Sequence, residues 1–250
     1  MKAVDITGIL IDLVQKTIYA DESKLKSLRT ILMGIADKIG AKNFVTLTAE
    51  ILKKDFCIEG CNDLRVPLKR IFTISLEELE EDLSKKKYTL PEGHPIYILS
   101  EDHKDNIGRL KALSLSFGEI KKDCPYERIV DRYNKINGYY KELDSHIRKE
   151  EEVLFPVLEE NGMKEHLDSL RNEHKEFREI LTEICEAVKE AMSKRQVLGA
   201  DKIASFREKF IPSITNHIFR ETHIFYPAAL EFIASTKQWD KIKKGFELLK

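Results

Sequence analysis

The chain has 250 residues, 34% charged and 42% hydrophobic, with 11 glycines and 7 prolines; that is room for one large domain or two modest ones, and a mix that favours helices over strands. A formal net charge of −1 excludes the strong field that draws a chain to nucleic acid or anionic lipid. No stretch approaches the ~18 apolar residues of a membrane span, Asp5 and Asp12 interrupt the place where a signal peptide would lie, and 4 cysteines are too few for a disulfide scaffold, so the expectation is a soluble cytoplasmic protein.

Ile6, Ile9, Leu10, Leu13 and Val14 fall at helical spacing, as do Leu25, Leu28, Ile31, Leu32 and Ile35, with Gly40 where a C-terminal cap belongs. A third short helix is expected over about 43–55. Ser75 and Glu78 form a capping box that opens another helix, running to about Lys86, and the acidic run Glu77 to Asp82 is its solvated face. Cys57 and Cys61 are four apart and share a helix face; two buried thiols is the plainest reading, a redox or metal pair the alternative. From Tyr88 to Pro95 every periodicity breaks. That break separates a helical N-terminal domain, residues 1–87, from a second domain, residues 94–250.

Beyond Pro95 the apolar spacing is long and regular. Ile96, Leu99, His103, Asn106, Leu110, Leu113 and Phe117 form one seam, and Leu167, Leu170, His174, Phe177, Leu181, Ile184 and Val188 another, in alternating steps of three and four. Two further segments read His146-Ile147-Arg148-Lys149-Glu150 and His217-Ile218-Phe219-Arg220-Glu221, where a spacing of four puts each His and Glu on one helix face. His103 and His174, His146 and His217, Glu150 and Glu221, and Pro156 and Pro227 are all 71 residues apart. The flanks repeat as well: Asp102 and Lys104 around His103 match Glu173 and Lys175 around His174. Two copies of a helical hairpin, related by a pseudo-twofold axis, would bring these half-sites together.

Loop positions agree with that arrangement. The midpoints between successive histidines fall at Cys124-Pro125, at Glu160 beside Asn161-Gly162, and at Arg195-Gln196 before Gly199. The four histidines then lie in one layer of an all-α, up-down-up-down four-helix bundle. Trp239 to Leu249 forms a last amphipathic helix across one end, and Pro156 and Pro227 are expected to kink their helices.

A single seam histidine is usually an ordinary buried residue, and a helical Glu is usually solvated. Four histidines and two inward carboxylates in one layer are different, because unpaired carboxylates in an apolar bundle cost several kcal/mol. A pair of cations at His103, His146, Glu150, His174, His217 and Glu221 removes that cost. With no thiolate in the layer, mixed imidazole and carboxylate ligation suits iron, or manganese, rather than structural zinc or an iron–sulfur cluster. Two six-coordinate ions need more donors than these, so oxo, hydroxo or water completes the shells and positions stay open for a small ligand. Symmetry leaves His94 and His223 outside the set, since their 71-residue partners are Glu165 and Glu152 and His223 falls on a different helix face from Glu221; His166, just before the Leu167 seam position, reads as a surface residue. Tyr97, Tyr140 and Tyr226 read as packing residues near the site.

The pattern single His, His-x3-Glu, single His, His-x3-Glu over about residues 94 to 235 resembles the hemerythrin-like (HHE cation-binding) domain. It is most similar to the di-iron iron–sulfur cluster repair proteins of microbes. By that resemblance the four histidines are terminal ligands, Glu150 and Glu221 bridge two iron ions, and manganese or zinc are substitutes. Oxygen-carrying members have a further histidine where this chain has Leu170 or Arg178, and an aspartate where it has Thr222, which argues against simple oxygen carriage. Repair proteins carry an N-terminal cysteine pair, for which Cys57 and Cys61 are the nearest equivalent here. The expected function is a non-haem di-iron protein that reacts with oxygen, nitric oxide or peroxide, in stress response or iron–sulfur cluster repair. The alternatives are a gas or redox sensor signalling to a protein partner through residues 1–87, and iron storage or delivery.

Overall fold

The computed structural model describes residues 5–53, 63–86, 89–118, 126–194 and 205–249, and every regular element among them is helical. Cys57 and Cys61, and the loop midpoints at 124–125 and 195–196, lie outside the described residues. By compactness the chain divides into two units, Met1–Ile74 with Ile218–Ala234, and Ser75–His217 with Ser235–Lys250.

In the first unit, α1 (Ile6–Ile18), α2 (Glu22–Ile39), α3 (Ala41–Lys53) and α4 (Arg65–Ile71) pack on one another. Asp5 accepts the Gly8 N–H at 3.0 Å and Asp21 the Lys24 N–H at 2.9 Å, capping α1 and α2. The end of α1 is held by the Arg70 guanidinium, which donates to the carbonyls of Thr17, Ile18 and Ala20 at 2.8, 2.7 and 2.6 Å. Leu10, Leu13, Val14, Leu25, Leu28 and Leu32 are buried, whereas Ile9 and Ile31 are 40% and 51% exposed and lie off the packed face.

Gly40 ends α2 with φ +84°, a conformation that only glycine adopts without cost. The same glycine precedes α3 and offers no side chain to cap it. Glu231 does so instead: its carboxylate accepts the Ala41 and Lys42 N–H groups, both at 3.0 Å, on a helix (Tyr226–Phe232) packed against α3. A carboxylate at a helix N-terminus is doubly favoured, by hydrogen bonds and by the helix dipole. Arg29 donates to the Thr73 carbonyl and lies over the Phe219 ring, 5.3 Å from its centroid.

The second unit begins at α5 (Leu76–Lys85), where Ser75 Oγ accepts the Glu78 N–H at 3.1 Å. Then come α6 (Pro95–Gly118), α7 (Tyr126–Arg148), α8 (Phe155–Glu160) and α9 (Lys164–Lys194). The α6 helix packs on α5 and α7, and α7 on α9. Gly162, with φ +92°, turns the chain from α8 into α9 at the expected Asn-Gly pair. Continuing past residue 205, α10 (Ile211–Arg220) leads to α11 (Tyr226–Phe232), already met above α3, and α12 (Thr236–Leu248) closes the chain. A Cβ on Gly245 would stand 2.5 Å from Val153 Cγ1, so α12 approaches residues 149–154 closely only because that residue is glycine.

Among the described residues three segments widen to π-helix: Lys149–Leu154, Phe206–Phe210 and Glu221–Phe225. Each lies just ahead of a proline. Pro156, Pro212 and Pro227 lack an N–H, and a proline ring crowds the carbonyl four residues back. In each case the preceding residue bonds the carbonyl five back: Phe155 to Glu150, Ile211 to Phe206 and Tyr226 to Glu221. The proline strain is thus absorbed as a wide turn; one of the three begins at Glu221 and another one residue before Glu150.

The bundle seams are dry. Ile96, Leu99, Leu110 and Leu113 are buried on α6, as are Leu167, Phe177, Leu181, Ile184 and Val188 on α9. Tyr139 on α7 is also buried, its ring edge-on to Phe210 at 6.1 Å, and its hydroxyl has no hydrogen-bond partner among the described residues. Burial holds that phenol well above its ordinary range, so it stays neutral. The residue 71 positions on is Phe210. Tyr139→Phe is expected to raise stability by about 1 kcal/mol in chemical denaturation, because an unmet buried hydroxyl costs about that much or more; a loss of stability would contradict this account of its surroundings.

Candidate metal centre

Four helical segments present His103, His146, Glu150, His174, His217 and Glu221, and none of the six is more than 3% exposed. His103 lies in the first half of α6 and His174 in the first half of α9, each at a seam position with buried neighbours: Leu99 and Asn106 for His103, Leu170 and Phe177 for His174. His146 lies in the last turn of α7, with Glu150 one helical turn on within the π segment Lys149–Leu154, and His217 and Glu221 lie in the same way on α10 and the π segment that follows it.

The donor atoms gather into two groups, each with all members within 4.8 Å of one another. One consists of Glu150, His174, His217 and Glu221, the other of His103, His146 and Glu221. Glu221 belongs to both. The other three histidines, His94, His166 and His223, join neither group. His94 instead accepts the Ile96 N–H at 3.2 Å through Nδ1 and packs its ring on Trp239, 4.6 Å away, while His223 packs on Phe219 at 4.5 Å.

The imidazoles are oriented from outside. Asp102 approaches His146 Nδ1 at 3.4 Å, Glu151 approaches His174 Nδ1 at 2.9 Å, and Glu173 approaches His217 Nδ1 at 2.9 Å. An imidazole that donates its Nδ1–H to a carboxylate keeps its Nε2 lone pair free to face inward. His174 Nε2 and His217 Nε2 stand 3.1 Å apart, and His174 Nε2 is 3.4 Å from Glu150 Oε2. Donors about 2.1 Å from one ion at right angles stand about 3.0 Å apart, so the spacing fits a shared cation. His146 Nε2 is buried without a hydrogen bond; Glu150 Oε2, at 3.7 Å, is beyond hydrogen-bonding reach. Two fully buried carboxylates among inward lone pairs repel one another unless positive charge lies between them. The donor set therefore fits a bound cation. Its oxygen and nitrogen ligands, with no sulfur in either group, suit iron or manganese.

Asp102, Glu151 and Glu173 were not picked out as site residues by sequence. Asp102 and Glu173 repeat at the 71-residue offset and left a signal in that form; Glu151 left none, since its counterpart is Thr222. Arg178, four residues after His174 on α9, braces this outer shell. Arg178 donates to Glu151 at 2.9 Å and to Asp144 at 2.8 Å. Burial would raise the Glu151 carboxyl, but its bonds to His174 and Arg178 outweigh burial and hold it below its ordinary range. Asp102 behaves in the same way, with burial outweighed by His146 and by Lys149 at 2.7 Å. Both stay ionised at neutral pH.

Ring packing fixes the rest. Phe155 stacks on His174 at 5.9 Å, and Phe177 meets His217 edge-on at 5.0 Å and Phe210 at 5.8 Å. Among the described residues no helix is long and apolar enough to cross a membrane.

An all-helical protein with a buried imidazole–carboxylate cluster able to hold a metal is the class that this fold and centre define. Residues 94–229 match the family model of the hemerythrin HHE cation binding domain, more than half of the chain, and the protein belongs to that family. No curated protein and no solved structure matches the chain.

Proposed function

We propose that the chain holds two non-haem iron ions on His103, His146, Glu150, His174, His217 and Glu221, and that the centre reacts with small oxidants or nitric oxide in a stress response that includes repair of iron–sulfur clusters. The helices bearing these residues then form an up-down-up-down four-helix bundle. The observation that carries this reading is the convergence of Nε2 and carboxylate donors in a dry layer, with Glu221 within reach of both histidine pairs. Bound iron supplies electrons and open coordination positions for an incoming small molecule. The protein's own residues orient the imidazoles through Asp102, Glu151 and Glu173, exclude bulk water, and put no histidine at 170 or 178 to fill the remaining positions.

Stopped-flow optical spectroscopy of the reduced, iron-loaded protein tests it. Rapid oxidation by air, binding of nitric oxide, and sustained turnover with peroxide or nitric oxide are the expected results. An oxygen adduct that survives and releases its oxygen under vacuum would place the chain among the carriers instead.

One observation favours a sensing role as the second reading. The segment Glu221–Phe232 packs on α3, and Glu231 caps that helix. In this reading a change at Glu221 would act on α3, and through it on a protein partner bound by the N-terminal helices. Ligand-dependent partner binding without turnover distinguishes this reading, and ready iron transfer to an apo-acceptor would mark storage or delivery.

A further inference from the structure

We propose that the two halves of the centre are unequal: the His174–His217 half binds its ion first and holds it more tightly, while the His103–His146 half carries the exchangeable ion. This rests on the reading above, that the six residues hold a pair.

Sequence alone makes the halves look equivalent, because every ligand has a counterpart 71 residues away. The geometry separates them in three ways. Four donors, including both carboxylates, converge around His174 and His217, against three around His103 and His146. A site with one more anionic ligand attracts a divalent cation more strongly.

The outer carboxylates differ in the same sense. His174 and His217 each have a carboxylate oxygen 2.9 Å from Nδ1. The oxygen facing His146 Nδ1 is 3.4 Å away, and that same Asp102 Oδ2 is bound by Lys149 at 2.7 Å. A carboxylate on Nδ1–H makes Nε2 a better donor, and loss of such a partner costs about 10–100-fold in metal affinity.

Ring packing is the third difference. Phe177 presses edge-on against His217, and its counterpart is Asn106, a polar residue. Rings held by packing as well as hydrogen bonds lose less freedom when an ion binds, which adds to affinity in the same half.

The test is anaerobic titration of metal-free, full-length protein with Fe(II), and with Co(II) as an optical probe, against a competing chelator. Wild type should bind two ions in two steps, the first at least about 10-fold tighter. His103→Ala should keep the tight step and lose the weak one, and His174→Ala should lose the tight step. Glu173→Gln should weaken the tight step about 10–100-fold and leave the weak one in place. Circular dichroism melting of each metal-free variant shows whether the bundle still folds, and only folded variants are scored. Two ions bound with equal affinity, or a tight step that disappears with His103 rather than His174, overturns the proposal. Fewer than two ions at saturation in the wild type overturns the paired reading itself, and the ranking with it.

Discussion

Glu221→Ala is expected to strip the centre of both ions. Glu221 is the one residue shared by the two donor groups, so its loss removes a ligand from each half at once. It also leaves only Glu150 to offset the charge of a bound pair. Elemental analysis of protein produced in iron-rich medium should fall from the proposed two ions per chain to nearly none. Glu152→Ala is the control: Glu152 is half exposed and pairs with Arg148 at 2.7 Å, two residues from a ligand but outside both groups. A Glu221→Ala protein that keeps two ions would remove the basis for a shared carboxylate. The variant should remain helical, since the long seams of α6 and α9 pack apolar residues independently of the site.

Phe177→Ala should cost about 3–5 kcal/mol. The side chain is fully buried and meets both Phe210 and His217 edge-on, so truncation opens a cavity at the floor of the centre and frees a ligand ring. For a chain of this size the melting temperature should drop by about 10 °C. Metal affinity should fall as well, because the His217 ring loses the packing that aims it. A variant that melts lower but binds metal unchanged would show that Glu173 alone orients His217.

The helices and the histidines and glutamates that gather between them were legible because their signals are local or periodic. Ser75 and Glu78 announce a helix start, and the structure caps it with that serine. Gly40 and Gly162 announce chain reversals and have positive φ. The histidines stood out through the repeat, which a single pass for apolar spacing would not reveal. What could not be read depends on contacts between distant residues or on small changes of pitch. The helix Arg65–Ile71 has only seven residues, too few for a period, and Pro67 within its first turn reads as a breaker. Glu231 caps a helix that begins 190 residues earlier, a contact that no local rule contains. Glu150, Glu151 and Glu152 are three consecutive acids; in the fold the first faces the layer, the second turns to His174 and Arg178, and the third pairs outward with Arg148. Only the direction of each Cβ in the widened turn separates their roles.

That widened turn also determines how the chain tolerates changes in length. A π turn holds about one residue more than an α-helix needs for the same rise. Removing one residue within Lys149–Leu154 can therefore close the helix to ordinary pitch while α7 and α8 keep their places, whereas the same deletion in the middle of α9 would rotate half a seam into solvent. The deletion would nonetheless swing Glu150 by about 100° relative to His146 or return the Pro156 ring to the carbonyl it now avoids. Between Glu150 and Pro156, and again between Glu221 and Pro227, the aim of a carboxylate is set by the count of residues as much as by their kind.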